Sequence, residues 1–106
     1  MNCVSKFADE LRIFFKKIIK KGHPQDFINV VTEAMKYGIE NDILAHMNLF
    51  AEFCIIYDRL DMMTMLIDKY HFDPCQDDSK IIEYCAGRGS NQMMQLLDNY
   101  KVNYEN

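Results

Sequence analysis

The side chains that could do chemistry are few and scattered. Cys3, Cys54, Cys75 and Cys85, together with His23, His46 and His71, are the candidate nucleophiles and soft metal ligands. His71 and Cys75 stand four residues apart, but Cys85, His23 and His46 do not supply the paired short spacings of a structural zinc site, so no metal centre is expected. "GRGS" at 87–90 is the chain's glycine cluster. It lacks the Gly-Lys-Ser/Thr ending of a phosphate loop and follows no strand, so it reads as the bend of a helical hairpin. Asp58, Asp61, Asp77 and Asp78 read as caps and turns and not as a catalytic carboxylate pair. Cys54 and Cys85 fall on apolar helix faces, where a thiol serves as a small core residue. No catalysis and no cofactor are expected from these patterns.

The elements that position these residues belong to a chain of 106 residues, the length of one domain with one core. A composition 49% hydrophobic and 26% charged excludes a disordered chain. The formal charge of −4 opposes a phosphate backbone, so nucleic acid is not an expected partner. Lys16, Lys17, Lys20 and Lys21 interrupt the strongly apolar segment near the start, leaving no run of about 18 apolar residues to cross a membrane. With Asp9 and Glu10 they also argue against a secretory signal, so a cytoplasmic or nuclear location with reduced thiols is expected. "FFKKIIKK" could lie on an anionic membrane, but the same apolar face is needed to cover the next helix, and membrane association is not expected.

The spacing predicts about six helices and no substantial sheet. Leu11, Phe14, Phe15, Ile18 and Ile19 line one face of a helix over 5–21, stopped by Gly22 and Pro24. Phe27, Val30, Val31, Ala34 and Met35 repeat the pattern up to Gly38, a left-handed cap. A central helix from Asn41 or Asp42 to Tyr57 carries apolar residues on more than one side. Asp61 begins a fourth helix with Met63, Leu66, Ile67 and Tyr70 inward, and the stretch 71–79 reads as a loop. Helices over 79–87 and 90–100 follow, with Ile81, Ile82, Cys85, Ala86, Met93, Met94, Leu97 and Tyr100 inward.

Internal similarity favours stacked hairpins over a bundle. "LIDKYHFD" at 66–73 and "LLDNYKVN" at 96–103 match at an offset of 30, and "NVVTEAMKYG" at 29–38 looks like a weaker third copy. "CAGRGSNQMMQLLDNYKVN" then resembles the ankyrin-repeat unit. Cys85 and Ala86 stand for its paired small residues, Gly87 and Arg88 for the variable pair, Gly89 for the bend glycine, and Met93, Met94, Leu96 and Leu97 for the apolar stripe. "CIIYDRLDMMTMLIDKYHFD" fits the same unit with Asp58 in place of the glycine. The Thr-Pro-Leu-His signature is absent, the spacing is near 30 and not 33, and such degenerate units look like those of large DNA viruses or intracellular bacterial effectors.

The resemblance implies a single domain over 1–106: an irregular hairpin or cap at 1–40, then repeats at 41–75 and 76–106. It implies a non-catalytic module that binds another protein, blocking or redirecting a host or regulatory factor. The positions that face partners in that family correspond to Ile56, Tyr57, Gly87 and Arg88, with the loop residues Phe72, Cys75, Gln76 and Asp77. A homodimer driven by an apolar end around Tyr100, Val102 and Tyr104 is the alternative.

Overall fold

A computed structural model describes residues 3–105, with side chains described for 9–75 and 80–99. The expectation of an apolar end at Tyr100, Val102 and Tyr104 lies outside the described side chains. The described residues form seven helices and no strand: α1 Cys3–Lys21, α2 Pro24–Lys36, α3 Glu40–Leu44, α4 Met47–Ile56, α5 Leu60–Tyr70, α6 Gln76–Arg88 and α7 Asn91–Glu105. The all-α reading therefore holds, with one helix more than the spacing predicts.

The extra helix comes from a break after Leu44. The His46 ring Nδ1 lies 2.9 Å from the carbonyl oxygen of Asp42, while the backbone N–H of His46 turns to Ile43 at 3.0 Å. A side chain that occupies a helix carbonyl competes with the backbone ladder, and the expected 41–57 helix becomes α3 and α4. The loop expected over 71–79 is shorter, because α6 begins at Gln76. Asp73 Oδ1 accepts the backbone N–H of Cys75 at 2.8 Å and turns the chain directly into the helix. Acidic residues that suit a loop also suit a helix's first turn, which is why composition placed this boundary late.

The stops are where the sequence places them. A Cβ at Gly22 would meet the Ile18 carbonyl oxygen at 2.8 Å and Asp26 Oδ2 at 3.0 Å, so only glycine fits this bend. The His23 backbone N–H donates to Asp26 Oδ2 at 2.8 Å as α2 begins at Pro24. Gly38 adopts φ 71° beyond α2, and the Ile39 N–H reaches back to the Ala34 carbonyl at 3.2 Å.

Packing follows a regular plan. α1 packs on α2 and α4; α4 packs on α5 and α6; α6 packs on α7; α2 meets α3 and α5, and α5 meets α7. α4 is central, with Met47, Phe50, Ala51, Phe53, Cys54 and Ile55 all buried. Phe15, Phe27 and Phe50 bring α1, α2 and α4 together with ring centroids 4.8 to 5.6 Å apart, and Tyr70 of α5 lies 5.7 Å from Phe27. Such tilted pairs add about 0.5–1.5 kcal/mol each beyond the area they bury. The body measures 41 × 26 × 24 Å with a radius of gyration of 14.1 Å, against about 13 Å for a compact domain of this length.

Three inward assignments change. Phe14 is 47% exposed and Met35 61% exposed. Each helical residue advances about 100°, and Leu11, Phe15, Ile18 and Ile19 already span the stripe that faces α2 and α4, which leaves Phe14 at its border. Ala86 is likewise exposed, one step from buried Cys85.

Candidate functional site

Three of the helix bends lie along one edge, and polar side chains tie them together. The first bend is 22–23, between α1 and α2. The second is 57–59, between α4 and α5, and the third is 89–90, between α6 and α7. Arg59 spans the first two. Its Nη1 donates to the carbonyl oxygens of Ile19 at 2.8 Å and Lys20 at 3.2 Å, and its Nη2 donates to Gly22 at 2.7 Å. These are the carbonyls that a helix end leaves without intrahelical donors, and a guanidinium fork suits them in geometry and charge. Nε and Nη2 also donate to Asp61 at 3.1 and 3.0 Å, which fixes the fork's plane. The Arg59 hydrogen bond, the largest influence, holds the Asp61 carboxyl below the usual aspartate range.

Asp58 and Ser90 join the second and third bends. Asp58 is left-handed at φ 54°, as Gly89 is at φ 73°. Aspartate tolerates this region better than most residues, so it can hold in the second bend the backbone that Gly89 holds in the third. Ser90 Oγ donates to Asp58 Oδ1 at 2.8 Å.

On this edge stand four of the eight residues singled out from the sequence. Ile56 ends α4 and is 36% exposed. Tyr57 follows it, half-buried, with the Lys20 ammonium 5.4 Å from its ring centroid. Gly87 and Arg88 close α6, both exposed. The edge thus carries an apolar residue, Ile56, beside a ring with an ammonium over it, and exposed Arg88 at the end of the neighbouring helix. Aromatic rings and arginine at a partly desolvated position are the residue types that anchor protein interfaces.

Of the other four, Phe72 and Cys75 lie elsewhere. Phe72 is 3% exposed and belongs to the core, so it is corrected from a surface residue to a packing one. It follows the far end of α5, whose 11 residues separate it from the bend by about 16 Å. His71, at φ 58°, turns the chain so that the Phe72 N–H meets the Leu66 carbonyl at 3.1 Å and the ring folds inward. The side chains of Gln76 and Asp77 lie outside the described residues. Cys75 is half-buried at the start of α6.

No spacing or residue type marks Arg59, whose acceptors lie 37 to 40 positions away. It also did not reveal an open apolar groove of about 390 Å³ between α1, α2 and residues 39–43, with Leu11, Phe14, Val30, Tyr37 and Ile39 among its walls. Burial pushes the Cys54 thiol far above the ordinary thiol range. Cys85 is raised by burial and then by the carboxylates of Asp58 and Asp98. Neither is held as the thiolate that nucleophilic chemistry uses. Among the described residues no cluster of three His, Cys, Asp or Glu could hold a metal ion, and no helix is long and apolar enough to cross a membrane.

Comparison with protein-family models, with curated proteins and with solved structures finds no match to this chain.

Proposed function

We propose that the chain is a short ankyrin-like stack of three helical hairpins, α1/α2, α4/α5 and α6/α7, that binds another protein without catalysing a reaction. The observation that carries this reading is the recurrence of buried positions. Phe15, Phe50 and Ile81 stand at intervals of 35 and 31, as do Ile19, Cys54 and Cys85. The same two intervals relate Phe27, Met62 and Met93, and again Val31, Leu66 and Leu97. Four series with one pair of intervals are the pattern of a unit that buries its apolar face against its neighbours, and such stacks present extended surfaces for partners.

The recurrence also moves the register by one. An offset of 30 sets buried Leu66 against half-buried Leu96, whereas 31 sets it against buried Leu97 and aligns Asp58 with Gly89. The second copy is one residue shorter between its methionine pair and its leucine. One residue turns a helix by about 100°, so matching letters fall on different faces.

The edge around Ile56, Tyr57 and Arg88 is the proposed contact, and its cations favour a partner segment bearing carboxylates beside an apolar anchor. A host or regulatory protein that is blocked or redirected by this contact fits the ankyrin-like reading. The test compares capture from native lysate by the intact chain and by a Tyr57→Ala, Arg88→Glu variant with an unchanged circular dichroism spectrum. A partner held by the first and lost by the second is expected. Equal capture by both would move the contact off this edge.

A further inference from the structure

Among the described residues, none covers the apolar side chains on the outer face of α1. Ile13 is 57% exposed and Phe14 47%, and Phe14 continues the apolar surface into the groove, whose wall Tyr37 is 73% exposed. A contiguous exposed patch of this kind marks an association surface, unlike singly scattered apolar residues.

The charges on that face point to the occupant. Glu10 lies three residues before Ile13 and Lys17 three residues after Phe14, so all four share one face of the helix. The arrangement is symmetric about the point between Ile13 and Phe14, with opposite charges at its two ends. A second α1 laid antiparallel across a two-fold axis at that point brings Glu10 opposite Lys17 twice and Ile13 opposite Phe14 twice. A parallel pairing would set Glu10 against Glu10 and Lys17 against Lys17. A surface that complements itself under a two-fold rotation is what an isologous dimer requires.

We propose that α1 is a dimerisation helix whose partner is a second copy of this chain, paired antiparallel about Ile13 and Phe14 with reciprocal Glu10–Lys17 ion pairs. The groove beside Phe14 gives the partner's apolar side chains room to seat. A purely anionic partner would suit Lys17 but would meet Glu10 on the same helix face and Glu33 in the groove wall. This contact is separate from the bend edge and does not depend on it.

Sedimentation equilibrium on the full chain tests the pairing through two charge variants, Glu10→Lys and Lys17→Glu, at positions exposed enough to leave the fold intact. The wild type is expected to dimerise, and each variant alone to associate about tenfold more weakly because both ion pairs become like-charged. Mixing the two variants restores opposite charges at both ends, so the mixture is expected to recover the wild-type association. Ile13→Asp is expected to be monomeric with an unchanged circular dichroism spectrum. A monomeric wild type overturns the proposal, and if that monomer floats with phosphatidylserine vesicles the face is a lipid surface instead. Variants that associate as the wild type does, or a mixture that recovers nothing, overturn it equally.

Discussion

Ser90 Oγ donates to Asp58 Oδ1 across 32 positions of sequence, so the α6–α7 bend holds the α4–α5 bend through a residue that is itself left-handed. Asp58 has two roles here, the backbone turn and the acceptor, and substitution separates them. Asp58→Ala loses both and is expected to cost about 2 kcal/mol, roughly half from the left-handed backbone and half from the bond. Asp58→Gly relieves the backbone while losing the acceptor and should lie near neutral. Ser90→Ala should cost about 1 kcal/mol in the wild type and nothing further in the Asp58→Gly background, as read by urea denaturation of the double-mutant cycle.

Arg59 is the residue whose loss should be felt furthest away. Its bonds to the ends of α1 are charge-assisted and its side chain is 20% exposed, so Arg59→Gln is expected to destabilise by about 2–3 kcal/mol. Hydrogen exchange should locate the opening in the last turn of α1 and not only around residue 59.

Asp61 gives this bend an acid dependence of known sign. Its folded pKa is depressed by Arg59, so the stability it contributes is present above the unfolded aspartate value of about 3.9 and is lost as pH falls through the lower folded value. Half of its side chain is exposed, which limits the contribution to about 0.5–1 kcal/mol. Asp61→Asn should therefore lie below the wild type by about 0.5–1 kcal/mol above pH 6 and converge with it as pH falls through the folded value, as read by urea denaturation at several pH values.

Gly22→Ala should cost about 1–3 kcal/mol, because the new methyl must displace the Ile18 carbonyl or the Asp26 carboxylate that caps α2. Gly87→Ala is the control: a Cβ there meets nothing and the residue is helical, so thermal stability should hold or rise slightly.

Thiol labelling should sort the cysteines by depth. Cys75, half-buried at the start of α6, should react well before Cys54 and Cys85, whose buried thiols are raised above the ordinary range. Equal rates for Cys54 and Cys75 in native buffer would contradict the packing around α4.

Much of this molecule could be read from spacing, because spacing is how a helix records which side is dry. Phe15, Ile19, Phe27, Val31 and Leu66 were legible for that reason, as were the stops at Gly22 and Gly38, which need a backbone that few residues tolerate. Phe14 and Met35 were misread since an apolar residue at the border of a stripe looks the same whether or not a neighbouring helix covers it. Phe72 was misplaced by a turn that hinges on the left-handed φ of His71, a residue type that gives no warning of it. Arg59 was invisible because its acceptors are backbone carbonyls of a distant helix, and a carbonyl carries no residue-type signal. Of the candidate surface, Ile56, Tyr57, Gly87 and Arg88 stand beside two bends that the Ser90–Asp58 bond joins, because α4 and α6 pack on each other.

The Arg59 clamp has a consequence for a chain made one residue at a time. Ile19, Lys20 and Gly22 leave the ribosome well before Arg59 does, and Asp58 well before Ser90. The first two bends are therefore each locked by a residue still to be translated, and until it emerges only water serves their exposed acceptors. Synthesis closes the edge from its earliest bend to its latest, so a nascent chain halted after residue 58 would hold α1 and α2 without the fastening that completes them.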